Sequence, residues 1–198
     1  MGSVTSRRRR SDAGDADASG GKPVELIVVR HGETDWNLAR RVQGSTDIEL
    51  NDRGRAQAKL CAEALAKQLQ GTPHTIWSSN LGRAAATASA LAMALGSKAA
   101  NGDGPISIPV RRDERLKEWD LGVLEGLQKE DAAKQHPEDW ETFCKHWAAP
   151  SVPEEIASRV INGGESMLQV RTRAVACLDE VCREARDSAS GVAIAVTH

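Results

Sequence analysis

The chain has 198 residues, 40% hydrophobic and 27% charged, with 26 basic against 28 acidic side chains. That supplies one buried core and excludes both wholesale disorder and a global basic footprint for nucleic acid, and no apolar run approaches the ~18 residues needed to cross a bilayer. Cys61, Cys144, Cys177 and Cys182 have neither C-x-x-C spacing nor framework density, which argues against a disulfide scaffold or thiol zinc site and for a reduced, cytoplasmic setting.

Residues 1–22 hold almost nothing that could be buried and read as a disordered leader. Its Arg7 to Arg10 run is open to an import or targeting role, although Asp12, Asp15 and Asp17 argue against a transit peptide. From Val24 to Val29 an aliphatic, β-branched run predicts a strand buried on both faces, ending in Arg30-His31-Gly32-Glu33-Thr34. Asn51 can cap a helix over about Asp52 to Leu69, with Ala58, Cys61, Leu65 and Leu69 at helical spacing. A short strand over Thr75 to Ser78 and an Ala-rich helix over Arg83 to Leu95 follow. A turn cluster at Asn101 to Gly104 then precedes a third strand near Ile106 to Val110.

About 127–161 the chain is polar and tryptophan-containing, with helical stretches at Lys129 to Gln135 and Glu138 to Trp147, broken by Pro150 and Pro153. This reads as an insertion packed over the sheet, with Trp119, Trp140 and Trp147 as packing residues. Ser166 can cap a long helix to about Arg186, striped by Val170, Ala174, Leu178, Val181 and Ala185, and Val192 to Thr197 repeats the buried-strand pattern before His198. Alternating strands and helices predict an α/β sandwich with a mostly parallel sheet. Ligands of such sheets sit at the carboxyl ends of strands, so Arg30-His31, Ser78-Ser79 and Thr197-His198 should share one rim.

Two histidines directly after buried strands, with Arg30 and Arg83 nearby, form a set suited to phosphate. Arginine forks match phosphoryl oxygens and stabilise the charge of a transferring group. A neutral imidazole can be the nucleophile, kept unprotonated by neighbouring guanidinium charge. Glu118 is the available proton donor for the leaving group. The remaining histidines, His74, His136 and His146, read as turn residues and not as catalysts. Gly20-Gly21-Lys22 fails as a phosphate loop because Pro23 follows and the strand comes after it.

Arg30-His31-Gly32-Glu33-Thr34, with Asn37 and Arg41-Val42-Gln43-Gly44, closely resembles the signature of the histidine phosphatase superfamily in its phosphoglycerate mutase-like branch. Leu50-Asn51 with Gly54 and Gln57-Ala58, Ser78 to Ala84 with Thr87-Ala88, Leu116-Lys117-Glu118 with Glu125-Gly126, Gly163 to Ser166, and Val196-Thr197-His198 continue that resemblance in order. It covers Val24 to His198 and departs at Asn80, where the family often has aspartate. It implies a three-layer α/β sandwich over 23–198 with a helical lid at about 127–161. His31 is then the phosphorylated nucleophile, Arg30, Arg83 and His198 the phosphate pocket, and Glu118 the acid and base. Thr34, Asn37, Gln43 and Gly44 fall where the family contacts phosphate or substrate. No metal or cofactor is implied, and the expected partner is a small phosphorylated metabolite, with neither nucleic acid nor membrane.

The leading expectation is a metal-independent phosphomonoesterase. A phosphoglycerate-type mutase is the alternative, disfavoured because the lid offers only Lys129, Lys134, Lys145 and Arg159 as basic contacts. A third reading follows from the family's second histidine motif, which continues into glycines, a helix and a closing strand. On that reading the chain is a catalytic core lacking the C-terminal part of the fold, or an impaired regulatory binding protein.

Overall fold

The structure, a computed structural model, describes residues 7–9, 22–99, 106–148 and 152–198. A five-stranded sheet carries the order β1-β2-β5-β3-β4. Strands β2 (Glu25–Arg30), β3 (Ile76–Ser79), β4 (Val110–Asp113) and β5 (Val192–Thr197) run parallel, while β1 (Arg7–Arg9) pairs antiparallel along the outer edge of β2. Thus three residues inside the stretch read as a disordered leader form a strand. The unpaired N–H and C=O groups of an edge strand are a template for such pairing, whatever the side chains.

Helices α2 (Asp52–Gln68) and α3 (Gly82–Ala99) cover one face of the sheet, and α7 (Met167–Asp187) covers the other. On the first face Ile27, Val29, Ile76 and Ile194 are fully enclosed against Ala62, Leu65, Ala88 and Leu91. Each aliphatic side chain of that size, once buried, contributes about 1.5–3 kcal/mol. On the second face Trp77, Ala193 and Ala195 meet Cys177, Val181 and Ala185 of α7. The result is the expected three-layer, mostly parallel α/β fold.

Two strand expectations need correction. Leu26 and Val28 of β2 are only half-buried, because α7 seats mainly over β3 and β5 on that face; those two strands are the ones enclosed on both sides. The third strand lies at Val110–Asp113 instead of 106–110. Pro109 has no N–H for a ladder, though its carbonyl accepts from Ile76. The charged residues after Val110 are tolerated because β4 is an edge, where the Arg111 guanidinium stacks 4.0 Å from the centre of the Trp77 ring. The turn cluster at Asn101 to Gly104 lies outside the described residues.

Beyond the sheet, α1 (Asp35–Leu38) follows β2, and the insertion holds α4 (Lys129–Gln135), α5 (Pro137–Ala148) and the unforeseen α6 (Glu154–Ala157). Ala132 and Ile161 of the insertion share a small core with Val42, Trp119, Leu121 and Leu124, against which Trp140 and Phe143 pack. His146 lies within α5 and not in a turn, its ring perpendicular to that of Trp119 with centroids 5.0 Å apart. No described helix is long and apolar enough to cross a membrane.

Candidate active site

Parallel strands deliver their carboxyl ends to one rim. Arg30 is in register with Thr197, and Ser78 with Val196, so the residues that follow, His31, Ser79 and His198, converge there. The His31 backbone N–H donates to Thr197 O at 3.0 Å, which ties the first histidine loop to the second. The two rings lie 5.0 Å apart between centroids.

The loop after His31 is held from below by α2. Asn51 caps that helix by accepting from the Gly54 N–H at 2.8 Å, and its side-chain amide donates to Glu33 Oε1 at 3.1 Å. Glu33 N–H in turn donates to Gln57 Oε1 at 2.9 Å. Gly32 and Gly54 permit this approach: a Cβ on Gly32 would stand 2.3 Å from Gly54 O, and one on Gly54 2.0 Å from Glu33 O. Thr34 caps α1 and forms a reciprocal capping box with Asn37.

His31 is only 5% exposed, and its Nδ1 lies 2.6 Å from the Gly32 carbonyl. A carbonyl can only accept, so Nδ1 carries the proton and the lone pair sits on Nε2. That Nε2 is buried and has no hydrogen-bond partner. Burial, with the nearby charges of Arg83 and Arg30, lowers the His31 pKa to about 4 against the pull of the Gly32 contact. The imidazole is therefore neutral at physiological pH, with the Nε2 lone pair directed at no hydrogen-bond donor.

Arg83 is completely buried in the first turn of α3. It donates through Nε to His198 Nδ1 at 3.3 Å, through one Nη to Thr46 O at 2.8 Å and through the other to Gly44 O at 2.7 Å. A guanidinium has five N–H donors, so two remain for an anion. Since His198 Nδ1 accepts from Arg83, its Nε2 carries the proton and donates to Ser79 Oγ at 2.9 Å. Burial, then Arg83 and the neighbouring His31 and Arg30, push the His198 pKa far down, so this ring is also neutral.

Glu118 completes the site, with Oε2 3.9 Å from His198 Nδ1 and Oε1 accepting from Trp119 N–H at 3.1 Å. Burial raises its pKa, against that hydrogen bond and the charges of Arg83, Arg30 and Arg173. A carboxyl whose proton is held more tightly than usual, close to a neutral imidazole and a buried guanidinium, is suited to deliver a proton to a departing oxygen.

The sequence profile of the histidine phosphatase superfamily (branch 1) matches residues 26–198. The chain belongs to this superfamily. It is 36% identical over 172 residues to phosphoglycerate mutase-like protein 4 of Arabidopsis thaliana, covering 87% of this chain and 64% of that protein. It is also 33% identical over 175 residues to a metal-independent phosphoserine phosphatase of the same plant, covering 88% and 64%. Among solved structures it resembles a mycobacterial glucosyl-3-phosphoglycerate phosphatase in complex with VO3, with a TM-score of 0.67 at 29% identity over 87% of this chain and 73% of that one. The chain thus spans 64% of the length of the curated relatives named here.

Within this histidine phosphatase domain the residues singled out from sequence fall into two groups. His31, Arg83, His198 and Glu118 are gathered at the rim, with exposed Arg30 ending β2 beside them. The other group supports the pocket. Thr34 is fully buried, and its hydroxyl donates to Gln43 Oε1 while accepting the Asn37 N–H at 3.2 Å; Asn37 Oδ1 accepts from Thr34 N–H at 3.1 Å. Gly44 serves Arg83 through its carbonyl.

Several supporting residues were not singled out from sequence. Ser79 fixes the His198 tautomer, and the strand-end rule already placed it on the rim. Glu125 accepts from the backbone N–H groups of Ser45 at 2.7 Å, Thr46 at 2.8 Å and Leu121 at 3.0 Å, and so pins the loop whose carbonyls hold Arg83. Its presence beside Gly126 in the acid segment was the available signal.

Proposed function

We propose that this domain hydrolyses a small phosphomonoester without a metal, through a phosphohistidine on His31. The observation that carries the reading is His31 Nε2: a buried, unpartnered lone pair on a neutral ring, beside a fully buried arginine with two uncommitted donors. Such a group is otherwise costly to bury, and a bound phosphoryl group gives it a purpose.

The Nε2 lone pair attacks phosphorus as the P–O bond to the leaving group breaks, and the electron pair leaves on that oxygen, which takes the Glu118 proton. Arg83 and Arg30 offset the charge on the equatorial oxygens. The Gly32 carbonyl, already accepting from Nδ1–H, stabilises the cationic phosphoimidazole. Glu118, now a carboxylate, takes a proton from water as the water oxygen attacks phosphorus, the P–N bond breaks and inorganic phosphate departs. Relatives with phosphatase names support the hydrolytic reading, as does the lid, where Lys145 is engaged by Glu141 at 2.7 Å.

Quenching the full chain during turnover of a radiolabelled phosphomonoester tests the mechanism. An acid-labile, base-stable phosphoenzyme is expected, absent in His31→Gln. Sustained turnover by His31→Gln would overturn it.

A further inference from the structure

Arg173, on α7, has no place in the chemistry above, yet three of its five donors converge on the segment that carries Glu118 and the other two on Glu165. One Nη donates to the carbonyls of Arg115 at 2.9 Å and Lys117 at 2.6 Å, and the other to the carbonyl of Glu118 at 3.0 Å. Its Nε donates to Glu165 Oε2 at 3.1 Å, and the second Nη also meets Glu165 Oε1. All five guanidinium N–H groups are therefore used within the protein, in contrast to Arg83. Arg173 has nothing left to give an anion.

Glu165 extends the same clamp. Its Oε1 accepts from Asp120 N–H at 3.1 Å, its backbone N–H donates to Asp120 O at 3.0 Å, and its carbonyl accepts the Trp119 indole N–H at 2.7 Å. The irregular stretch from Arg115 to Asp120 is thus held from both sides of Glu118 by a single ion pair on and just before α7. This stretch has no sheet ladder of its own after β4, so these contacts, with Thr197 Oγ1 donating to Leu116 O at 3.0 Å just before them, hold the Glu118 backbone in place.

We propose that Arg173, paired with Glu165, is the positioning residue that sets the Glu118 carboxyl at proton-transfer distance from the leaving oxygen. The inference rests on the reading of Glu118 as general acid. A misplacement of about 1 Å can cost about 100-fold in rate, and a general acid contributes about 100- to 10,000-fold, most where the leaving group most needs a proton. The consequence is specific: disturbing Arg173 should penalise esters with poor leaving groups more than those with good ones. A purely structural role would lower both together.

The test compares kcat/KM of the full chain and of Arg173→Met, Arg173→Lys and Glu118→Gln on p-nitrophenyl phosphate, whose phenolate leaves unaided, and on 2-glycerol phosphate, whose alkoxide must be protonated. Arg173→Met is expected to lose about 10-fold or more on 2-glycerol phosphate beyond its loss on p-nitrophenyl phosphate, in the same sense as Glu118→Gln. Arg173→Lys keeps the charge but has one donor centre in place of the fork, so it should fall between wild type and Arg173→Met. It also keeps the comparison available if Arg173→Met does not fold. Equal losses on the two esters in the Arg173 variants, alongside an unequal loss in Glu118→Gln, would overturn the positioning role. Equal losses in Glu118→Gln itself would overturn the acid assignment, and the inference with it.

Discussion

At the residue scale, the protonation states follow from burial and neighbouring charge, and they predict a pH profile. On the proposed mechanism His31 attacks only when neutral, so kcat/KM should fall as pH drops through the His31 pKa of about 4. Glu118 must begin protonated, and burial raises its pKa, so the rate should also fall as pH rises past that elevated value. A pH–rate profile whose acid limb lies near the ordinary histidine pKa, about 6.5, would contradict the assignment. Arg40 offers a second prediction. It holds φ 55 just after α1, the left-handed position that glycine usually fills at a helix C-terminus. Arg40→Gly should remove that strain and stabilise the fold by about 1 kcal/mol, read as a higher urea midpoint. Sequence brought His31, His198 and Arg83 to one rim, as the structure does, because strand ends and arginine pairs are local signals. It could not show that Thr34 turns its hydroxyl to a helix cap and Gln43, since that depends on the path of the loop.

At the element scale, helix starts were readable and strand environments less so. Asn51 and Ser166 cap α2 and α7 where the sequence pattern expects caps. Ser166 is buried and shares a capping box with Gln169, so Ser166→Ala should cost about 1–2 kcal/mol in thermal or denaturant unfolding. Gly54 reverses a common rule. Alanine in place of glycine within a helix ordinarily stabilises by about 0.5–1 kcal/mol. Here the new Cβ would meet Glu33 O at 2.0 Å, backbone against backbone. Gly54→Ala should instead destabilise by about 1–3 kcal/mol, measured by denaturant midpoint, and push the His31 loop away from α2. Arg173 sits between Val170 and Cys177 on the inward side of α7, and a charged residue inside an apolar stripe was the signal available for it.

At the scale of the whole molecule, building the site costs stability in acid. His31 has a folded-state pKa of about 4, and His198 is depressed as well, whereas both titrate near 6.5 when unfolded. As pH falls below about 6.5 the unfolded chain takes up protons that the folded chain refuses, so stability declines towards pH 4. His31 alone should account for a loss of about 3 kcal/mol across that interval, with His198 adding to it. The raised Glu118 pKa works the other way, over the carboxylate range. Urea unfolding between pH 7 and pH 4 checks this: His31→Gln should flatten the slope, and an unchanged slope would show that the ring is not buried neutral.

The sequence by itself determined the family motifs, the α/β alternation and which candidate side chains would gather at the rim, because buried strands, helix caps and the residues at strand ends are written in short, contiguous patterns. Tertiary structure alone decided how those side chains are held. The His198 tautomer depends on Ser79 and Arg83, the Arg83 fork on the carbonyls of Gly44 and Thr46, and the Glu118 backbone on Arg173 and Glu165. Each of those contacts joins residues far apart in the chain, and hydrogen-bond geometry at that separation exists only once the sheet has assembled.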